Sequence, residues 1–223
     1  MPKWADTDWG VMEYRYVHLV EFVRDGDWKK VVERLGKPPD KKVTQQEIRK
    51  HHERITLRPV YREDILAQDQ QGAISATFEA HFHFTEKTHR DTVQLVRSVV
   101  FIGAAIVFYA KEQFRRARPS QYDPSLITPG NRVIDMPAHP SYPSGHSFQS
   151  HLVACALSAV GLDSEALINL ADSIALNREI AGLHYPSDSE AGTELAAQIW
   201  PLLIKSPELA ATLGKAKLEW KKA

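Results

Sequence analysis

Three short segments of this chain gather cations and histidines beside predicted helix ends. The first is Lys111-Glu-Gln-Phe-Arg-Arg-Ala-Arg118-Pro119. Lys111 and Arg118 are seven residues apart, a spacing that puts them on one helix face two turns apart. Pro119 disfavours helix at Arg118, which leaves that guanidinium at a helix end, able to fork onto an oxyanion. The second is Tyr142-Pro143-Ser144-Gly145-His146-Ser147. Ser144 is placed to cap the helix that follows, and Gly145 lets a bound group approach the backbone. The N–H groups of that first turn form an anion site, with the His146 ring beside it for proton transfer. The third is Arg178-Glu-Ile-Ala-Gly182-Leu-His184-Tyr-Pro186-Ser-Asp188. Pro186 suits a first helical turn, which puts Asp188 within reach of His184. A carboxylate that accepts the Nδ1 proton leaves Nε2 as a nucleophile or ligand. Each segment alone reads as ordinary capping and dipole compensation. Together they supply what a tetrahedral oxyanion needs: one lysine, two arginines, helix N–H donors and two histidines.

The positioning elements read as helices. Residues 13–35 carry Tyr14, Val17, Val20, Phe22 and Val23 among charges, and the prolines of LGKPPDKK (35–42) break the chain. Thr44 with Glu47 has the spacing of a capping box for a helix to about residue 55. Residues 64–88 are ambiguous between helix and loop. Thr88 or Asp91 is placed to cap a long apolar helix to about Ala117. Residues 119–143 hold six prolines and one glycine and are expected to be irregular. Further helices are expected over 145–161, 164–181, 187–204 and 207–220. No strand pattern stands out. The fold class expected is all-α, a helical bundle (91–223) with an N-terminal helical extension (1–90) packed on it.

Composition narrows the function classes. The 223 residues suit one good-sized core. Lys+Arg and Asp+Glu both number 28, which argues against nucleic acid as a partner. One basic stretch, Lys37–Arg62, has eight Lys/Arg against three acids and reads as a solvated face. The lone Cys155 excludes an internal disulfide and a cysteine-built zinc site, and a buried structural thiol is expected. The apolar run Val99–Ala110 falls short of the roughly 20 residues of a membrane span, so a buried helix and no span are expected. No secretory leader is evident at the N-terminus. A cytoplasmic location is expected for the chain as it stands, or a periplasmic one if a leader precedes it. Glu79-x-His81-x-His83 and Glu86-x-x-His89 lack the second motif a di-iron bundle needs and read as surface or core-edge groups. Phe82, Phe84, Phe101, Phe108 and Tyr109 read as core packing, and His151 is given no role.

The order and spacing of the three segments resemble the type 2 phosphatidic acid phosphatase and vanadium haloperoxidase superfamily, with its K-x6-RP, PSGH and SR-x5-H-x3-D signature. The chain reads KEQFRRARP (111–119), PSGH (143–146) and NREIAGLHYPSD (177–188). It departs from the signature at Asn177, where serine is usual. The resemblance implies a helical fold in which Lys111, Arg118, Arg178, Ser144 and the Gly145 N–H bind phosphate oxygens. It further implies that His184, oriented by Asp188, attacks phosphorus to form a phosphohistidine, with His146 as acid and then base. A phosphatase acting on a small phosphorylated substrate, with neither metal nor cofactor, is the expected activity. The alternative it implies is a haloperoxidase, with vanadate as cofactor held by the same residues and His184 as axial ligand. His139-Pro-Ser-Tyr-Pro-Ser-Gly-His146 resembles a stretch of some haloperoxidases. An oxyanion-binding helical protein without turnover is the third reading, and a homo-oligomer stays open.

Overall fold

The computed structural model describes residues 26–128 and 130–221, so the reading of a helix over 13–35 lies mostly outside the described residues. Helices dominate the described residues, and none of these residues is a strand. In chain order the helices are α1 (Asp27–Arg34), α2 (Lys41–Arg54), α3 (Arg58–Ala67), α4 (Ala73–His81), α5 (Arg90–Phe114), the one-turn α6 (Pro119–Tyr122), α7 (Gly145–Val160), α8 (Ser164–Ile180), α9 (Pro186–Leu203) and α10 (Pro207–Trp220).

α7 is the hub. It packs against α5, α8 and α9, and α10 lies along α5. It is buried on most sides, with Phe148, Leu152, Val153, Ala156 and Leu157 packed alongside the hydrogen-bonded Ser150 and His151, as a helix surrounded by others must be. Two close approaches decide how tightly the bundle closes. A Cβ on Gly192 of α9 would lie 2.8 Å from the Ser144 carbonyl and 2.9 Å from the Phe148 nitrogen, so α9 can lie against the start of α7 only with glycine there. Gly182 turns the chain out of α8 at φ 81°, and a Cβ would meet the Arg58 guanidinium.

Several local readings need correction. α2 is capped by Asp40, whose carboxylate accepts from the Val43 N–H, and not by a Thr44–Glu47 box. Those two side chains lie inside the helix on its buried face with Ile48 and His51. α5 has no capping side chain of its own. Glu219 of α10 accepts instead from the Asp91 and Thr92 N–H groups at 2.8 and 2.9 Å, doing for the orphan amides what a local cap does. α5 stops at Phe114 and not near Ala117, because Arg115 turns left-handed at φ 47°. Lys111 and Arg118 therefore do not share a helix face: Arg118 lies in extended backbone beyond the helix. The ambiguous 64–88 region holds the end of α3 and all of α4. Arg90–Tyr122 is long and apolar enough, by length and composition, to cross a membrane, since Arg97 and Ser98 do not outweigh the apolar residues around them. In this fold 61% of its most apolar window is buried inside the protein. Phe108 is exposed where core packing was expected, and Cys155 is only partly buried. Glu79 and Glu86 both pair with Arg97.

Candidate active site

The three segments converge. Lys111, Arg118, Arg178, Ser144, His184 and Asp188 are all buried, drawn from the end of α5, the 115–144 connection, the start of α7, the end of α8 and the start of α9. Ser144 caps α7, accepting from the Ser147 N–H. Its own N–H donates to the Asp188 carbonyl at 2.9 Å, which ties the first turn of α7 to the helix that follows His184. Gly145 opens α7, so its N–H is one of the amides that the helix leaves unpaired.

The His184–Asp188 pair forms as the spacing predicted. His184 Nδ1 lies 3.2 Å from Asp188 Oδ2, which also accepts from the Tyr185 N–H at 3.0 Å. A carboxylate on Nδ1 leaves Nε2 as the free lone pair. Burial, reinforced by Lys111 and Arg118, holds His184 well below its ordinary pKa, so the ring is neutral. Burial pushes Asp188 up and Arg116 counters it.

The cations are held by carbonyls. Lys111 Nζ donates to the carbonyls of Pro140, Ser141 and Pro143 at 2.8–2.9 Å. Burial and Arg118 pull its pKa down to about 7, and three acceptors are satisfied only by the ammonium form. Arg118 donates to the His139 and Leu183 carbonyls and lies 3.0 Å from the His139 ring. Arg178 donates to the Ile65 carbonyl and meets Asp69 at 3.5 Å, while its buried Nε has no partner. Burial lowers both arginines to about 10, so both stay charged.

Sequence reasoning did not find the cover. The turn after α3 lies against the site: Gln68 O is 3.1 Å from His146 Nε2, and the Gln68 amide oxygen accepts from Asn177 at 3.1 Å. The departure from the signature at Asn177 is thus spent on holding this turn. Although His146 is partly exposed by surface area, packing and the nearby Arg178 push its pKa down to about 3. Arg58, also unforeseen, donates to the Ile180, Ala181, Leu126 and Asn131 carbonyls and so anchors the end of α8. Arg116 and Glu47 were missed as well. Glu47 gave a signal: Thr44, Glu47 and His51 recur at helical spacing beside the apolar Ile48, so a buried face drawn through Ile48 carries polar groups that need polar partners.

The comparisons with known proteins agree with this geometry. A model of the PAP2 superfamily matches residues 93–209, just over half of the chain. The chain is 32% identical over 100 residues to the decaprenylphosphoryl-5-phosphoribose phosphatase of Mycobacterium tuberculosis, covering 44% of this chain and 52% of that protein. It is 27% identical over 156 residues to a non-specific acid phosphatase of Providencia stuartii, covering 68% of this chain and 62% of that protein. The chain therefore spans about half to three fifths of the length of these relatives. In three dimensions it is similar to a bacterial vanadium-dependent iodoperoxidase, with a TM-score of 0.52 at 16% identity over 92% of this chain and 51% of the other, a likeness of fold. The matched segment contains all three motifs, and their residues meet at one buried cluster of cations and histidines: the chain belongs to the PAP2 superfamily.

Proposed function

We propose that this chain is a phosphatase that hydrolyses small phosphomonoesters through a phosphohistidine. One observation carries the reading. Lys111, Arg118 and Arg178 are buried beside His184 and His146 with no buried carboxylate hydrogen-bonded to any of them among the described residues. Their partners are carbonyls, the His139 ring and the half-exposed Asp69. Three buried cations that share only the half-exposed Asp69 and the field of Asp188 are under-compensated, which is costly, and a bound dianion is the group that balances them.

In this mechanism Lys111, Arg118, Arg178 and the first turn of α7 hold the phosphoryl oxygens and stabilise their developing charge. His184 Nε2 attacks phosphorus while the bond to the ester oxygen breaks. His146 gives that oxygen its proton, and the alcohol leaves. His146 then takes a proton from water, whose oxygen attacks phosphorus. The P–N bond breaks, and phosphate and neutral His184 result. Burial, then the positive charges of Arg178, Lys111 and Arg118, keep His146 neutral in the free site. A dianionic substrate offsets most of that field and raises the His146 pKa, which favours the charged acid when its proton is needed. The cations are the chain's own, and the mechanism calls on no metal. The turn at Gln68–Asp69, already against His146 and Arg178, favours small substrates.

A second reading, a vanadate-dependent haloperoxidase, rests on His139. Its ring meets Arg118 within the HPSYPSGH stretch, and burial lowers its pKa to about 4. The same buried donors fit vanadate, with His184 placed to ligate it, and that group would supply peroxide activation. The test is turnover of p-nitrophenyl phosphate by the purified chain, with and without vanadate. Turnover that vanadate inhibits and that His184→Ala abolishes supports the phosphatase. Peroxide-dependent bromination once vanadate is added, without phosphate release, supports the second reading. A folded His184→Ala protein with an unchanged rate would sink the mechanism.

A further inference from the structure

We propose that Arg116 and Glu47 form a positioning pair for the carboxylate that orients His184, so that α2, outside the family-matched segment, completes the active site. The inference rests on His184 being the nucleophile. Asp188 is fully buried, and its two oxygens do different work. Oδ2 accepts from the Tyr185 N–H and faces His184 Nδ1. Oδ1 accepts from Arg116 NH1 at 2.7 Å. The other arm, Arg116 NH2, donates to Glu47 Oε2 at 2.8 Å and to Thr44 Oγ1 at 3.2 Å. Ser187 Oγ takes a further bond from NH1 at 2.8 Å. The remaining Glu47 oxygen accepts from the Ser187 N–H at 2.8 Å, in the first turn of the helix that carries Asp188.

The guanidinium lies over the Tyr185 ring at 3.8 Å, so its plane is fixed by stacking as well as by the two carboxylates. A carboxylate gripped through one oxygen cannot rotate about its terminal bond. The other oxygen stays aimed at His184, and the ring keeps the tautomer that exposes Nε2. Glu47 balances the Arg116 charge and holds the fork at the angle that reaches Asp188. No hydrogen bond links Arg116 or Glu47 to Lys111, Arg118 or Arg178, so the pair acts on the attacking ring and leaves anion binding alone. A lysine at 116 keeps the charge but cannot bridge two carboxylates and stack.

The test uses the full chain with Glu47→Gln and Arg116→Lys, both checked for fold by circular dichroism. Three quantities are measured: kcat for p-nitrophenyl phosphate, the competitive Ki of inorganic phosphate, and the NMR resonance of the His184 Nδ1 proton, assigned by its loss in His184→Ala. Expected are a ten- to hundredfold fall in kcat for both variants, a phosphate Ki within twofold of wild type, and a shifted or broadened Nδ1 resonance. A kcat within twofold of wild type with the resonance unmoved overturns the proposal. So does a Ki that rises in step with the loss of kcat, which marks a merely structural role. If wild type releases no phosphate, the phosphatase reading falls, and the resonance alone then judges the pair: movement in both variants upholds it and constancy overturns it.

Discussion

Replacing Asp188 by asparagine tests the site at its most constrained atom pair. Three donors converge on this carboxylate: Arg116 on Oδ1, and the Tyr185 N–H and His184 Nδ1 on Oδ2. An asparagine has the same shape but one acceptor oxygen. If that oxygen faces Tyr185 and His184, the amide NH2 meets the charged Arg116 fork. If it faces Arg116, the NH2 points at His184 Nδ1. The second orientation keeps the 2.7 Å charge-assisted bond, of the stronger class at about 1.5–3 kcal/mol, and prevails. The NH2 then donates to Nδ1, the ring proton moves to Nε2, and the nucleophilic lone pair is lost. A wrong tautomer of this kind costs on the order of 10⁴ in rate in the serine protease case, or about 5 kcal/mol of barrier at 1.36 kcal/mol per tenfold. Stability falls too, by about 1–3 kcal/mol for the donor left buried and unpaired. The assay is p-nitrophenyl phosphate hydrolysis by protein shown to be folded by circular dichroism, with phosphate Ki measured in parallel. A folded Asp188→Asn variant with kcat within threefold of wild type would refute the reasoning.

Asp69 competes for Arg178 through a half-exposed contact at 3.5 Å, worth about 0.5–1 kcal/mol; Asp69→Asn is expected to lower KM about two- to fivefold, and steady-state kinetics with unchanged or higher KM would count against it. Lys111 has its pKa pulled down to about 7, so its charge is present below that pH and lost above it. Sulfate, whose own charge is constant, is expected to inhibit with a Ki that weakens as pH rises through about 7, and a Ki flat to about pH 9 would contradict this. Gly192→Ala forces a Cβ to 2.8 Å from the Ser144 carbonyl. Overpacking of about 1–3 kcal/mol predicts a Tm several degrees lower together with reduced activity, since Ser144 caps the turn proposed to bind the anion. An unchanged Tm would show that α9 shifts freely.

The sequence alone determined the chemistry-bearing set. Lys111, Arg118, Ser144, Gly145, His146, Arg178, His184 and Asp188, the candidate site, are legible because each lies at or beside a helix end, and helix ends are written locally in Ser, Gly and Pro. The bounds of α7 to α10 were legible for the same reason: Ser144, Asp163 and Ser206 cap them, and Gly161 and Pro186 mark a stop and a start. Tertiary structure alone decided what those residues touch. Glu219 caps α5 from 128 residues away, Glu47 reaches Arg116 from 69, and Gln68 reaches Asn177 from 109. Thr44 and Glu47 had the spacing of a cap, and the buried Arg116 took them instead. The reason is physical: a local hydrogen bond depends on a few residues of sequence, whereas a buried charge is paid for by whichever partner the packed helices bring within reach, and no spacing in the chain records that partner.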